Sequence, residues 1–240
     1  MEKFFESNAL ERVNTITFDI FGTVLNLSGS IVPRLEKLIR SCNAPTSIKG
    51  SDVWSHWRQR QRIEQYQDNL LMLGHDGYLA IKRKSLIYIL RTLKVEYNDE
   101  QIEEFMGVYQ ELNPFEDAVN GLYRLGKKYK LVILSNGEKK FLKHLAENRI
   151  GIDFHDIFSA ETVGKFKPHP SVYRFASMNL GIEPHEIMMV ASHAFDILGA
   201  RHSGYRAAYI NRYDLPYDQS VFKPDIITED FNQLCIKLNV

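Results

Sequence analysis

The chain has 240 residues and a 44% apolar share, enough for one large domain or for a core of about 150 residues with a smaller insert. Thirty Lys and Arg balance thirty Asp and Glu, so no global charge favours nucleic acid or an acidic membrane, and a small ligand of low charge fits better. The two cysteines, Cys42 and Cys235, are too few and too far apart for a disulfide framework or a cysteine-rich metal site.

The first residues, MEKFFESNALERVN, scatter charge and contain no apolar leader core, and no window approaches ~18 consecutive apolar residues. A soluble, cytoplasmic protein without a membrane partner is expected. Residues 13–18 then alternate β-branched and aromatic side chains, which predicts a strand, and Gly22 ends it. Asp19 therefore stands at the carboxyl end of a strand, where ligands bind in open α/β sheets.

Between residues 28 and 111 no strand pattern occurs. Val53, Trp57, Ile63, Tyr66 and Leu70 recur at helical spacing, as do Leu86, Ile89, Leu90 and Leu93, then Ile102, Phe105, Met106 and Tyr109. This predicts a helical-bundle cap over residues 28–111, inserted into a core made of residues 1–27 and 112–240. Helix faces that include Trp54 and Leu86 are expected to be partly exposed. From residue 112 onward short apolar runs alternate with helical patterns: helix 115–128, strand 130–134, helix 138–149, strand 157–159, helix 170–180, strand 187–191, helix 195–203 and strand 205–210. Such alternation means βαβ units, hence an α/β fold with a doubly wound, mainly parallel, Rossmann-like sheet. Met188, Met189, Val190 and Ala191 are apolar on both faces, as in a strand covered from both sides.

Three more polar clusters fall beyond expected strand ends: Ser135 and Asn136, then Lys165 and Lys167 ahead of two prolines, then Ser192, His193 and Asp196. Each alone has a plain structural reading, as a helix cap, a loop charge or a first-turn acid. Together they bring Asp, Ser/Asn, Lys and Asp to four carboxyl ends of one sheet, which packing alone does not require.

The order FDIFGT, LSNG, KPHPSVY and VASHAFDILGA resembles the haloacid dehalogenase-like hydrolase superfamily, and more narrowly its L-2-haloacid ((S)-2-haloacid) dehalogenase family. The narrower likeness rests on Trp57, Arg58, Gln59, Arg60 and Gln61 in the insert, close to the family's WRQKQ, on LSNG at 134–137, and on Tyr173 six residues after Lys167. The resemblance spans almost the whole chain. Phosphatases of the superfamily resemble DxDxT, with a second Asp as proton donor and further acids for Mg²⁺. Here Phe21 takes that second position, and Ser192 replaces the acid four residues before Asp196. Efficient phosphate hydrolysis is therefore not expected.

The resemblance implies an enzyme that hydrolyses the carbon–halide bond of a short 2-haloalkanoic acid to a 2-hydroxy acid, with no cofactor or metal. By that likeness Asp19 attacks the α-carbon to form a covalent ester, Arg58 and Asn136 hold the halide, and Ser135 and Lys167 hold the substrate carboxylate. Thr23 bonds the nucleophile, Tyr173 steadies the polar network, and Asp196 activates water or orients Lys167. Ile20, Phe21 and Phe195 contact the substrate, the two phenylalanines as apolar walls. His193 occupies a position where the family carries Asn, and it reads equally as a general base or as a fixed hydrogen-bond partner. Arg62, where the family is apolar, either faces solvent or widens substrate preference. The other seven histidines, His56, His75 and His169 among them, read as surface residues. Relatives commonly pair as homodimers, so the resemblance makes a homodimer an expectation to test here. The runner-up functions are a phosphatase or other small-molecule hydrolase of the superfamily, and a catalytically silent ligand-binding member.

Overall fold

The computed structural model describes residues 10–217 and 219–240. Most of the amino-terminal stretch on which the reading of cellular location rests lies outside the described residues. Within them, no helix is long and apolar enough to cross a membrane.

Six strands form one wholly parallel sheet: β1 (Thr15–Phe18), β2 (Lys130–Ser135), β3 (Asp156–Ser159), β4 (Ile187–Ala191), β5 (Arg206–Ile210) and β6 (Ile226–Thr228). Their spatial order is β3-β2-β1-β4-β5-β6. The chain winds outward from β1 on one side and then resumes at β4 on the other, so the winding reverses between β1 and β4. A crevice opens at such a switch point, beyond the carboxyl ends. Side chains alternate across the sheet. Ile16, Phe18, Ile133, Met188 and Val190 enter one apolar core, while Val132, Leu134, Met189 and Ala191 enter the second. Both faces are covered, which explains the unbroken apolar run in β4.

Five α-helices stand between β1 and β2 among the described residues, the first four being α1 (Leu27–Ser41), α2 (Gly50–Leu71), α3 (Tyr78–Thr92) and α4 (Asp99–Met106). Helix α5 (Glu116–Leu125) leads into β2, and α6 (Lys139–Leu145), continued by a π turn over Ala146–Ile150, follows it. Then come α7 (Pro170–Leu180), α8 (Ala194–His202) and α9 (Phe231–Lys237). Strand β6 and helix α9 extend the alternation beyond the last element legible in the sequence.

In α2 the buried positions are Val53, Trp57, Gln61, Gln65 and Asp68, a stripe of four- and three-residue steps. Trp57 is fully buried, and its Nε1 donates to the carbonyl of Lys82 at 2.9 Å, bolting α2 to α3. The α2 end is latched to the sheet side by Asn69. Its Nδ2 donates to the carbonyl of Phe166 and its Oδ1 accepts from the Phe166 amide, each at 2.8 Å. Leu86, expected at a partly exposed face, is instead fully buried, because α3 turns it into the core with Ile89 and Leu90. Trp54 is half-buried.

Candidate active site

Asp19 follows the last residue of β1, and its amide donates to the carbonyl of Val190 at 3.0 Å, which carries the sheet pairing one step further. The residue is 7% exposed. Lys167 Nζ donates to Oδ1 at 3.1 Å, and Thr23 Oγ1 donates to Oδ2 at 2.8 Å. Thr23 can reach back because Gly22 turns the chain at φ 93°, and a Cβ there would lie 3.0 Å from both His193 Cε1 and Tyr213 Oη. The loop after β5 braces this turn: Tyr213 Oη donates to the Gly22 carbonyl at 2.8 Å and Arg212 Nε to that of Thr23 at 3.1 Å.

Lys167 is 1% exposed. Besides Asp19, its ammonium donates to the Leu134 carbonyl at 2.8 Å and to Asp196 Oδ2 at 2.6 Å. An ammonium has three N–H donors, and all three are engaged inside the protein. In this arrangement the ammonium is spent on Asp19, Leu134 and Asp196. Burial opposes its charge, but Asp19 and Asp196 more than compensate and raise its pKa. For Asp19, burial pushes the carboxyl up, but Lys167, His193 and Thr23 together hold it well below the usual carboxylate range. Asp196, fully buried, is pushed up to about 6 by burial, against the pull of Lys167 and with the repulsion of Asp19 added. Tyr173 Oη donates to Asp196 Oδ1 at 2.6 Å. Their helices approach so closely that a Cβ on Gly199 would stand 2.6 Å from that hydroxyl.

His193 Nδ1 lies 3.3 Å from Asp19 Oδ2 and its Nε2 lies 3.4 Å from Arg58 Nη2. A guanidinium only donates, so Nε2 is the acceptor and the ring proton sits on Nδ1, pointed at Asp19. Burial lowers the imidazole pKa despite the carboxylate beside it, with Arg58 and Arg62 lowering it further, so the neutral ring is favoured. This geometry is that of a fixed donor.

A narrow cavity of about 30 Å³ is walled by Asp19, Phe21, Arg58, Gln61, Arg62, Gln65, Tyr78, Lys82, Asn136, His193 and Phe195. Its apolar side is Phe21, whose ring stacks on Tyr78 at 4.3 Å. At Arg58, Arg62, His193 and Phe195 it meets a chamber of about 430 Å³. Asn136 Oδ1 accepts from the Lys167 amide at 2.7 Å, which fixes the side-chain amide and commits its oxygen. The Ser135 hydroxyl is buried without a hydrogen-bond partner among the described residues. Ile20 points its side chain into the core, and its carbonyl accepts the amides of Thr23, Val24 and Leu25; that side chain is not on the wall, contrary to expectation.

Besides Tyr78 on the apolar side, sequence reading missed four polar residues here. Gln61 and Gln65 lie three and seven positions after Arg58, on one helix face, which the spacing alone announces. Gln61 Oε1 accepts from Lys82 Nζ at 2.8 Å and from Arg58 Nη1 at 3.2 Å, and its Nε2 is buried without a partner. Lys82 breaks the apolar stripe of α3, a second available signal. The fourth, His75, is buried rather than on the surface: it stacks on Phe166 at 3.8 Å and its Nε2 donates to the Asn136 carbonyl at 3.0 Å. Nothing in its flanking sequence marks it. His169 also has a structural role, as Nδ1 accepts from the Ser171 amide at 3.2 Å and caps α7.

Among the described residues no group of three or more His, Cys, Asp and Glu side chains is placed to hold a metal ion. The cation between Asp19 and Asp196 is the Lys167 ammonium.

A family model described as haloacid dehalogenase-like hydrolase matches residues 13–204. The (S)-2-haloacid dehalogenase of Xanthobacter autotrophicus is 29% identical over 201 residues, covering 83% of this chain and 76% of its own. Haloacetate dehalogenase H-2 of Moraxella sp. (strain B) is 26% identical over 218 residues, covering 90% of this chain and 93% of its own. The solved L-2-haloacid dehalogenase of Xanthobacter autotrophicus with chloropropionic acid covalently bound shares the fold, with a TM-score of 0.79 at 24% identity over 94% of this chain and 98% of that one.

Proposed function

We infer the reaction from the premise that the chain belongs to the haloacid dehalogenase-like hydrolase family. The reading that fits its site best is hydrolytic removal of halide from a short 2-haloalkanoic acid, through an ester on Asp19. One observation carries it: a buried carboxylate kept ionised by Lys167 faces a cavity with apolar and guanidinium walls, and Phe21 stands where a phosphatase places its acid.

An ionised carboxylate needs alignment rather than a base, and Lys167, Thr23 and His193 supply it. An oxygen of Asp19 forms a bond to the α-carbon as the carbon–halogen bond breaks, and the halide leaves with the bonding pair. A halide needs no proton but does need fixed donors, which the Arg58 fork and the Asn136 amide offer on the cavity wall. The Ser135 hydroxyl, buried and without a hydrogen-bond partner among the described residues, is the donor we assign to the substrate carboxylate. Phe21, Tyr78 and Phe195 limit bulk water around the reacting carbon.

Water then adds to the ester carbonyl, and Lys167 stabilises the oxygen on which charge collects. Asp196, with a pKa of about 6 close to working pH, takes one proton of the water; the bond between the carbonyl carbon and the substrate oxygen then breaks, and the proton left on the added hydroxyl passes to the departing alkoxide, giving the 2-hydroxy acid and ionised Asp19. Inversion at the α-carbon follows from a single in-line displacement. The helices over 28–111 act as a cap that supplies Arg58, while residues 1–27 and 112–240 supply the nucleophile. The relatives named for 2-haloacids and haloacetate support the substrate class, and the covalently bound chloropropionic acid in one of them supports the ester.

Purified protein with EDTA and 2-chloropropionate is expected to release chloride, and Asp19→Asn to abolish the release. Single turnover in heavy-oxygen water is expected to place label in the peptide carrying Asp19. Label found solely in the product would overturn the covalent route, and Mg²⁺-dependent phosphate release from p-nitrophenyl phosphate, with no chloride release, would overturn the substrate class.

A further inference from the structure

The reaction above leaves one cation of the cavity unused. Helix α2 carries three arginines in a row of alternate positions, and their fates differ. Arg60 is spent on the protein, paired with Glu64 and laid over the Tyr88 ring at 4.0 Å. Arg58 and Arg62, one turn apart, both line the narrow cavity and the chamber beside it. Neither has an ion-pair partner among the described residues, and Arg62 only stands over the Phe195 ring, 5.4 Å from its centroid.

Lys82 adds a third basic group to the same wall. It has Gln61 and the face of Tyr78 for company, and no carboxylate. Burial, then Arg58 and Arg62, hold its amine well below the ordinary lysine range, and burial, then Arg58, lower that of Arg62. Among the described residues the only carboxylate on the wall is Asp19, already opposed by Lys167. A monocarboxylic substrate brings one negative charge into this excess of positive charge, and Arg58 serves the halide. The chamber of about 430 Å³ is also larger than a methyl substituent needs.

Resting on the haloacid reading of the Asp19 cavity, we propose that Arg62 binds a second carboxylate of the substrate, so that the preferred ligands are short 2-halodicarboxylates of the 2-halosuccinate type. Side chains one turn apart on a helix leave it about 5–6 Å from each other, a spacing that a four-carbon diacid can bridge with its reacting end at Asp19 and its distal end in the chamber. A guanidinium presents a fork to such a carboxylate, and a charge-assisted pair of this kind supports a preference of about tenfold.

Succinate and propionate lack halogen and test binding apart from turnover. Titration calorimetry of the full chain is expected to show succinate binding at least tenfold more tightly. Arg62→Leu is expected to lower that ratio at least fivefold, and Arg62→Lys to keep most of it. Equal affinities, or a ratio that survives Arg62→Leu, overturn the proposal. In turnover, kcat/KM for 2-chlorosuccinate is expected to exceed that for 2-chloropropionate, with Arg62→Leu reversing the order. Chloride from 2-chloropropionate but none from 2-chlorosuccinate overturns the proposal and leaves the dehalogenase reading standing. A succinate preference that depends on Arg62, with no chloride from either acid, supports the Arg62 site while removing the dehalogenase reading.

Discussion

His75, on the segment between α2 and α3, donates from Nε2 to the main-chain carbonyl of Asn136 at 3.0 Å, so the segment joining two helices over the cavity holds the loop that carries Asn136. His75→Phe keeps a ring against Phe166 and deletes the bond, leaving a buried carbonyl unpaired. We expect kcat to fall about fivefold to thirtyfold, equivalent to about 1–2 kcal/mol. Halide release by a variant with native thermal unfolding checks this, and an unchanged kcat would contradict it.

Lys167→Met removes the cation shared by Asp19 and Asp196. Two buried carboxyl groups then face each other without compensation, and breaking a buried pair this way costs about 3–5 kcal/mol of stability. Urea unfolding at neutral pH measures it. Lys167→Arg is not expected to restore activity, because a planar fork cannot reproduce three bonds radiating from one nitrogen to Asp19, Leu134 and Asp196.

The pH dependence has two opposite contributions. Asp196, raised to about 6, must lose its proton to serve as base, so kcat is expected to rise with pH through about 6. Asp19, held below the usual range, stays ionised across that limb. His193→Asn is expected to leave the limb in place, and its displacement would assign the limb to His193. In stability the lowered carboxyl of Asp19 contributes fully above the ordinary value of ~3.9, and that contribution is lost as pH falls through its folded value. Asp196 acts in reverse: its folded state retains a proton between the ordinary value and about 6, so its contribution falls as pH rises across that window. Urea midpoints taken from about pH 2 to pH 7, in the parent and in Asp196→Asn, separate the two, the Asp19 contribution changing below the ordinary carboxylate value and that of Asp196 between it and about 6.

Gly22→Ala places a methyl group at φ 93°, against His193 and Tyr213. A cost of about 1–2 kcal/mol from the backbone alone is expected, with a lower kcat as His193 is pushed from Asp19. Tyr213→Phe in the same background removes one of the two obstructing atoms and is expected to recover part of the melting temperature; no recovery would place the strain elsewhere.

The catalytic end of the sheet was legible because each polar cluster follows an apolar strand. Asp19, Ser135 with Asn136, and His193 with Asp196 all fall where residues 13–18, 130–134 and 187–191 predicted strand ends, and Lys167 joins them in space. Arg58 was found through a motif, whereas the apolar stripe read after Trp57 ran through Ile63, Tyr66 and Leu70, which are exposed, while the buried face continues through Gln61 and Gln65 and meets Lys82. A polar residue on a buried face satisfies the same periodicity as an apolar one, so periodicity alone does not separate lining from core. His75 was lost for another reason: its partners Phe166 and Asn136 are distant in the chain, and only the tertiary arrangement makes it buried. Leu86 shows the converse, a residue assigned to a partly exposed face that α3 turns wholly inward. Strand β6 spans three residues with the middle one exposed, too short a pattern to register.

Strand β1 is hydrogen-bonded on both edges, to β2 and to β4, with apolar cores above and below. Amides in such a position exchange with solvent only when the whole molecule unfolds. Asp19, the residue proposed to attack, therefore follows directly on a strand expected to be among the last to open, and the motion that admits reactants and discharges products is expected in α2, which carries Arg58 and Arg62.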